Sequence, residues 1–272
     1  MPEIQPEDQT LKSLKGIHLW HAPLSSCSQR VRIVLAETGQ DYESHLINLE
    51  NDEHASEAYQ KIHPKGLVPA LVKDGRLFIE SVDIIQQLAE AESDLAKASS
   101  PQLLKMADEA QLDLKLLTFE FLFRVGPPPK PEDADAFQND HQNDWLKQFR
   151  IDFANGFDHD RLDAAVRRTD AGFRHLDELL SDGREYLGGS TFSLSDIAWM
   201  PNVHRFQLMG WPFDRTPHLS AWFDRVAERP SYHKGLLDWQ GEGIPGLFGG
   251  YTQKRRAEGT DVRAYGGLSD PA

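Results

Sequence analysis

The chain has 272 residues, 39% of them hydrophobic and 26% charged, which allows one large domain or two moderate ones. Its formal net charge of −14 makes nucleic acid and anionic membrane poor partners, because like charges repel. One cysteine excludes an internal disulfide and a multi-cysteine zinc site and fits a reducing cytoplasm. Residues 1–15 hold no apolar run and read as a loose extension, not a signal peptide. No window approaches eighteen consecutive apolar residues, so no membrane span is expected. "GIHLWHA" (16–22) reads as a buried strand. Residues 26–38 read as a helix, with Val31, Val34, Leu35 and Thr38 on one face and Gly39 as its stop. "YESHLINL" (42–49) alternates as a strand, and 54–63 reads as a short helix or turn. "LVPALVKDGRLFIES" (67–81) is a hairpin turning at Asp74-Gly75, and 81–91 is a helix opening on Ser81. The order βαβ then ββα predicts a small α/β layer with a mixed sheet over 16–91.

A polar linker (92–100) leads to a region that reads as helices throughout: 101–125, 138–153, 158–182, 193–209, 217–229 and 231–239. "GPPPKPEDADA" (126–136) cannot be helical and reads as a surface or lid loop. The Gly-rich, charged segment 240–272 reads as a draped extension. Ser193 and Asp196 form an S-x-x-D capping box, with Phe192 and Ile197 at hydrophobic-staple positions.

Three short stretches could carry chemistry. "SSC" at 25–27 stands at a strand-to-helix turn, where free backbone N–H groups and the helix dipole stabilise an anion such as a bound thiolate. The same serine is also a plain N-cap, and Cys27, with no CxxC partner, is either a mixed-disulfide thiol or a small buried residue. Val68-Pro69 opens a strand, where a cis proline would offer the Val68 backbone to a peptide-like ligand; an ordinary edge proline reads the same. Glu80 and Ser81 at a helix start could hold an ammonium and a carboxylate, or simply cap the helix. His141, His159 and His175 lie scattered with no metal-ligand spacing, so no metal is expected.

Taken together these stretches resemble the glutathione transferase superfamily, in its zeta-like form. The motifs are "SSCSQRVRIVLAETGQDYESHLINL", "HPKGLVPAL", "DGRLFIESVDIIQQLAE" and "STFSLSDIAW", in that order across 16–239. The resemblance implies a thioredoxin-like N-terminal domain followed by an all-helical C-terminal domain, in a cytoplasmic homodimer. It implies Ser25 as the hydroxyl that activates the glutathione thiol, with Ser26 and Cys27 beside it. Val68, next to cis Pro69, would pair with the cysteinyl backbone. Glu80 and Ser81 would hold the γ-glutamyl end, and His54 the glycyl carboxylate. The first long helix (101–125) and the 126–136 loop would roof the site of a hydrophobic or aromatic electrophile. Gln29 and His63 depart from the zeta pattern, and the proline-rich insertion and long tail are not typical of maleylacetoacetate isomerases. The reactions implied are conjugation or displacement of a leaving group. Alternatives are cis-trans isomerisation, with Arg30, Arg32 and Arg124 as candidates for substrate carboxylates, and thiol reduction or dehalogenation through Cys27.

Overall fold

A computed structural model describes residues 3–91, 93–126 and 137–269. The α/β part holds β1 (Glu3–Ile4), β2 (Ile17–His21), α1 (Ser26–Thr38), β3 (Glu43–Leu46), α2 (Glu57–Gln60), β4 (Ala70–Lys73), β5 (Arg76–Ile79) and α3 (Ser81–Leu88). The strands form one mixed sheet in the order β1-β5-β4-β2-β3, in which only β2 and β3 run parallel. The β4–β5 turn places Asp74 at φ 50° and Gly75 at φ 80°, the pair of left-handed residues that a two-residue hairpin requires. Alternation divides the sheet. Leu19, Leu71 and Phe78 face the core shared with α1 and α3, while Trp20, Ala70, Val72, Leu77 and Ile79 face a second core with Leu11, Ile47 and Tyr59.

The N-terminal segment corrects the sequence reading. Residues expected as a loose extension supply edge strand β1, which pairs antiparallel with β5, and a 3-10 turn over Gln9–Ser13 that buries Leu11. A two-residue strand is too short to show a period, so the sequence held no signal for it.

The helical part comprises α4 (Asp94–Lys97), α5 (Pro101–Glu109), α6 (Gln111–Phe121), α7 (Asp144–Asn155), α8 (His159–Leu180), α9 (Leu194–Leu208), α10 (Pro217–Ala227), α11 (Pro230–Gly235) and α12 (Ile244–Ala257). The stretch expected as a linker carries one helical turn, capped by the Ser93 hydroxyl, and the helix expected over 101–125 breaks at Ala110. Most of the proline-rich loop, 127–136, lies outside the described residues. The tail is no draped extension. It forms α12, buries Phe248, Val262 and Leu268, and inserts Arg255 against Glu120 at 3.0 Å. Its apolar residues are too widely spaced to read as a face.

Helix α9 centres the helical part. Asp196 closes the capping box with Ser193 and also accepts from the Leu187 amide and the Trp222 indole, each at 2.8 Å. α1 packs against α3, α9 and α11. A Cβ at Gly235 would fall 2.6 Å from the Ile33 nitrogen, so α11 rests directly on the α1 backbone. Among the described residues no helix is long and apolar enough to cross a membrane.

Candidate active site

Sheet register brings the three motif loops to one end. β4 runs antiparallel to β2 with Ala70 beside Trp20, and antiparallel to β5 with Ala70 beside Ile79. The residues just after β2 (Ser25), just before β4 (Val68-Pro69) and just after β5 (Glu80-Ser81) therefore emerge together. β3 ends beside His21, so the segment leading to His54 leaves from the same end. The Val68–Pro69 peptide is cis, and the ladder begins at Ala70, beyond Val68.

Ser25 is the N-cap of α1, and its Oγ accepts from the Ser28 amide at 3.2 Å. Among the described residues its own O–H donates to no protein group. Buried arginines hold the loop before it. Arg32 donates to the carbonyls of Ala22 (3.1 Å) and Pro23 (2.9 Å) and to that of Gly235 (2.8 Å). Arg205 donates to the Leu24 carbonyl. Arg32 is 1% and Arg205 3% exposed, and burial lowers each guanidinium to about 10, still cationic at neutral pH. Two positive charges and the α1 N-terminus thus lie behind Ser25, and all three favour an anion in front of it.

Ser26 and Cys27 point elsewhere. The Ser26 hydroxyl donates to Gln111 Oε1 at 2.8 Å and the Cys27 thiol to the same oxygen at 3.4 Å. Gln111 in turn donates to Asn202 Oδ1 at 2.6 Å. Arg30, 0% exposed, donates to Asn202 Oδ1, to the carbonyls of Ala107 and Ala198, and to the Ser81 hydroxyl at 3.1 Å. It links the starts of α1 and α3 to the helical domain. Arg30 and Arg32, candidates for substrate carboxylates in the sequence, are therefore scaffold cations. Arg124 pairs with Glu120 at 2.5 Å and lies over the Phe153 ring.

The opposite rim is built differently. Glu80, at φ 67° in a region that side chains avoid, accepts from Lys65 Nζ at 2.6 Å. His54 lies under Phe137 and His141, with ring centroids 5.7 and 5.6 Å away, and its Nδ1 has no hydrogen-bond partner among the described residues. Burial, aided by the charges of His141 and Lys115, lowers His54 to about 4, so it is neutral. The segment after the proline-rich loop straps this rim. Gln60 donates to the Asp140 carbonyl at 2.9 Å, Gln142 N–H donates to Gln60 at 3.0 Å, and Asn143 donates to the Lys65 carbonyl at 3.2 Å. Arg150 pairs with Asp52. A Cβ on Gly66 would fall 2.5 Å from the His141 ring, so only glycine admits the strap.

Lys115, one turn after Gln111 on α6, carries a charge that the sequence did not single out. Its Nζ lies over the rings of Trp145 (5.2 Å) and Phe149 (5.3 Å) and makes no hydrogen bond or ion pair among the described residues. Desolvation lowers it to about 8, against the opposing influence of Cys27. Gln111 and Lys115 lie in a helix with no motif, and Asn202 and Arg205 lie beyond the capping motif that opens α9, so only packing discloses them. A cavity of about 470 Å³ inside the helical domain, walled by residues including Leu112, Arg168 and Phe173, reaches Asn202 but not Ser25.

Comparison with known proteins places this geometry. The family model for the glutathione S-transferase N-terminal domain matches residues 19–96, and that for the C-terminal domain matches 160–225. The protein LigF of Sphingobium sp. is 26% identical over 72% of this chain and 84% of its own. Maleylacetoacetate isomerase of Pseudomonas aeruginosa is 28% identical over 77% of this chain and 91% of its own. Glutathione S-transferase TCHQD of Arabidopsis thaliana is 26% identical over 80% and 88%. The crystal structure of the beta-etherase LigF superposes with a TM-score of 0.69 at 21% identity, over 81% of this chain and 98% of that one, a shared fold.

Proposed function

Within the glutathione S-transferase superfamily, to which this chain belongs, we propose that it activates the glutathione thiol at Ser25 for attack on an aromatic electrophile. The protein is a glutathione-dependent enzyme, as its transferase and isomerase relatives are. One observation supports Ser25 over its neighbours: its O–H is uncommitted, whereas Ser26 and Cys27 are tied to Gln111. The hydroxyl donates to the thiolate, and the α1 N-terminus, Arg32 and Arg205 stabilise the negative charge. The Val68 backbone pairs with the cysteinyl unit. Glu80 and Ser81 receive the γ-glutamyl end, which requires Glu80 to share its carboxylate with Lys65. His54 takes the glycyl carboxylate through its unpartnered Nδ1, which requires the Phe137 and His141 rings that bury it to move aside.

The thiolate attacks carbon. The C–S bond forms as the bond to the leaving group breaks, and its electron pair departs with that group. The exposed Trp145 ring, stacked on buried Phe149, offers a face to a flat aromatic partner, and Lys115 supplies a cation for an anionic oxygen on it or leaving from it. Displacement of an oxygen leaving group from an ether, the bond class that the name of the beta-etherase neighbour carries, fits that set. The isomerase reading loses its two early arginines to the scaffold, and the Cys27 redox reading must free the thiol from Gln111. A homodimer with glutathione and a small electrophile as its partners completes the proposal.

Paired variants test it. Ser25→Ala should lower kcat/KM for a model electrophile about 100-fold, as loss of one donor to a developing anion does, while Cys27→Ala keeps it within about twofold. Wild-type turnover in Ser25→Ala, or collapse in Cys27→Ala, would reverse the assignment.

A further inference from the structure

His18, Glu43 and His45 meet at the other end of the sheet from Ser25. β2 and β3 run parallel with His18 beside Glu43 and Trp20 beside His45, and residues two apart on a strand share a face. His18 Nδ1 lies 3.1 Å from His45 Nε2 and 3.5 Å from one Glu43 oxygen; His45 Nε2 lies 3.7 Å from the other oxygen. His18 Nε2 lies 3.1 Å from the Lys15 carbonyl. A carbonyl only accepts, so Nε2 carries the hydrogen and Nδ1 turns its lone pair toward the cluster. Trp20 stacks on His45 at 4.4 Å and fixes that ring. The Glu43 side chain is 65% and that of His45 30% exposed, so the cluster is open to solvent.

From this geometry we propose that His18, Glu43 and His45 bind a divalent transition-metal cation of the zinc class, apart from the glutathione chemistry. A tetrahedral cation with bonds of about 2.0–2.1 Å sets its donors about 3.3 Å apart, and the three separations bracket that value. Two imidazoles and one carboxylate suit zinc and its first-row neighbours, whereas magnesium and calcium take oxygen donors. The Lys15 carbonyl is the outer partner that orients a ligating histidine. Three protein donors leave the fourth position to water, and His45 carries its own hydrogen on Nδ1 in the bound form. The cation joins β3, an edge strand whose residues are otherwise largely exposed, to buried β2. Occupancy therefore raises the melting temperature through binding to the native state alone.

Zinc titration of the untagged, EDTA-treated full chain, followed by calorimetry and melting, tests this. One equivalent should bind with Kd below about 10 μM and raise Tm. Glu43→Gln, an exposed and well-tolerated change, and His45→Gln should each weaken binding at least about tenfold. His233→Gln, an exposed histidine outside the cluster, should leave it unchanged. Should His45→Gln fail to fold, Glu43→Gln and Trp20-dependent quenching by Cu²⁺, absent in Trp20→Phe, carry the test. No saturable zinc binding by the wild type, or equal affinity in Glu43→Gln, overturns the proposal. Glutathione turnover within about twofold in Glu43→Gln separates this site from the active one.

Discussion

The two ends of the active site are assembled on opposite principles. The thiol end, around Ser25, is held from beneath by Arg30, Arg32 and Arg205, all buried and all bonded to backbone carbonyls. The glycyl end, around His54 and Lys65, is held from above by the strap over 137–150 through rim contacts such as the Asp52–Arg150 pair and the Asn143 side chain donating to the Lys65 carbonyl. A buried cation that satisfies several carbonyls leaves them stranded when it is removed, whereas an exposed pair only exchanges its partner for water. Chemistry that needs a fixed donor sits on the rigid end. The rim is the end that a substitution can alter at smaller cost to the fold.

Variants can break that contrast. Arg32→Met should cost the most, about 3–5 kcal/mol, because the carbonyls of Ala22, Pro23 and Gly235 lose their donor together. A urea midpoint unchanged from wild type would show that water replaces it. Acid should act on the same end. Burial first, and the charge of Arg32 next, lower His21 to about 3. The unfolded chain, near 6.5, takes up the proton first. This contribution is whole above pH 6.5 and is lost at about 1.4 kcal/mol per unit as pH falls toward 3. His21→Gln should flatten that slope in urea melts collected from pH 7 to 4.

Effects at the rim should be smaller. His54→Ala should raise the KM for glutathione about tenfold with kcat nearly constant, the signature of uniform binding; an equal fall in kcat would put His54 in the chemical step. Arg150→Ala should cost about 1–2 kcal/mol, since it loses a partly buried pair with Asp52 and a cation–π contact with Phe137, and a loss as large as that of Arg32→Met by calorimetry would mean that the strap is as structural as the arginine bed. Lys115 sharpens the picture from the electrophile side. Its charge falls away as pH rises through about 8, so turnover of an anionic electrophile should drop over that range, and the drop should vanish in Lys115→Met.

Much of this was legible in the chain of letters. Helix 26–38, the Asp74-Gly75 hairpin, the S-x-x-D cap and the spaced motifs are local signals, because a turn, a cap or a helical period is set by residues within a few positions of one another. The sequence by itself therefore determined the α/β-then-helical order, the family and the loop that carries Ser25. Tertiary structure decided the rest: that β1 closes the sheet edge, that the tail packs, that Arg30 and Arg32 face inward, and that Gln111 claims Ser26 and Cys27. Those contacts join residues from 51 to 203 positions apart, and burial, which fixes whether an arginine is scaffold or ligand, belongs to the assembled core and not to any stretch of it.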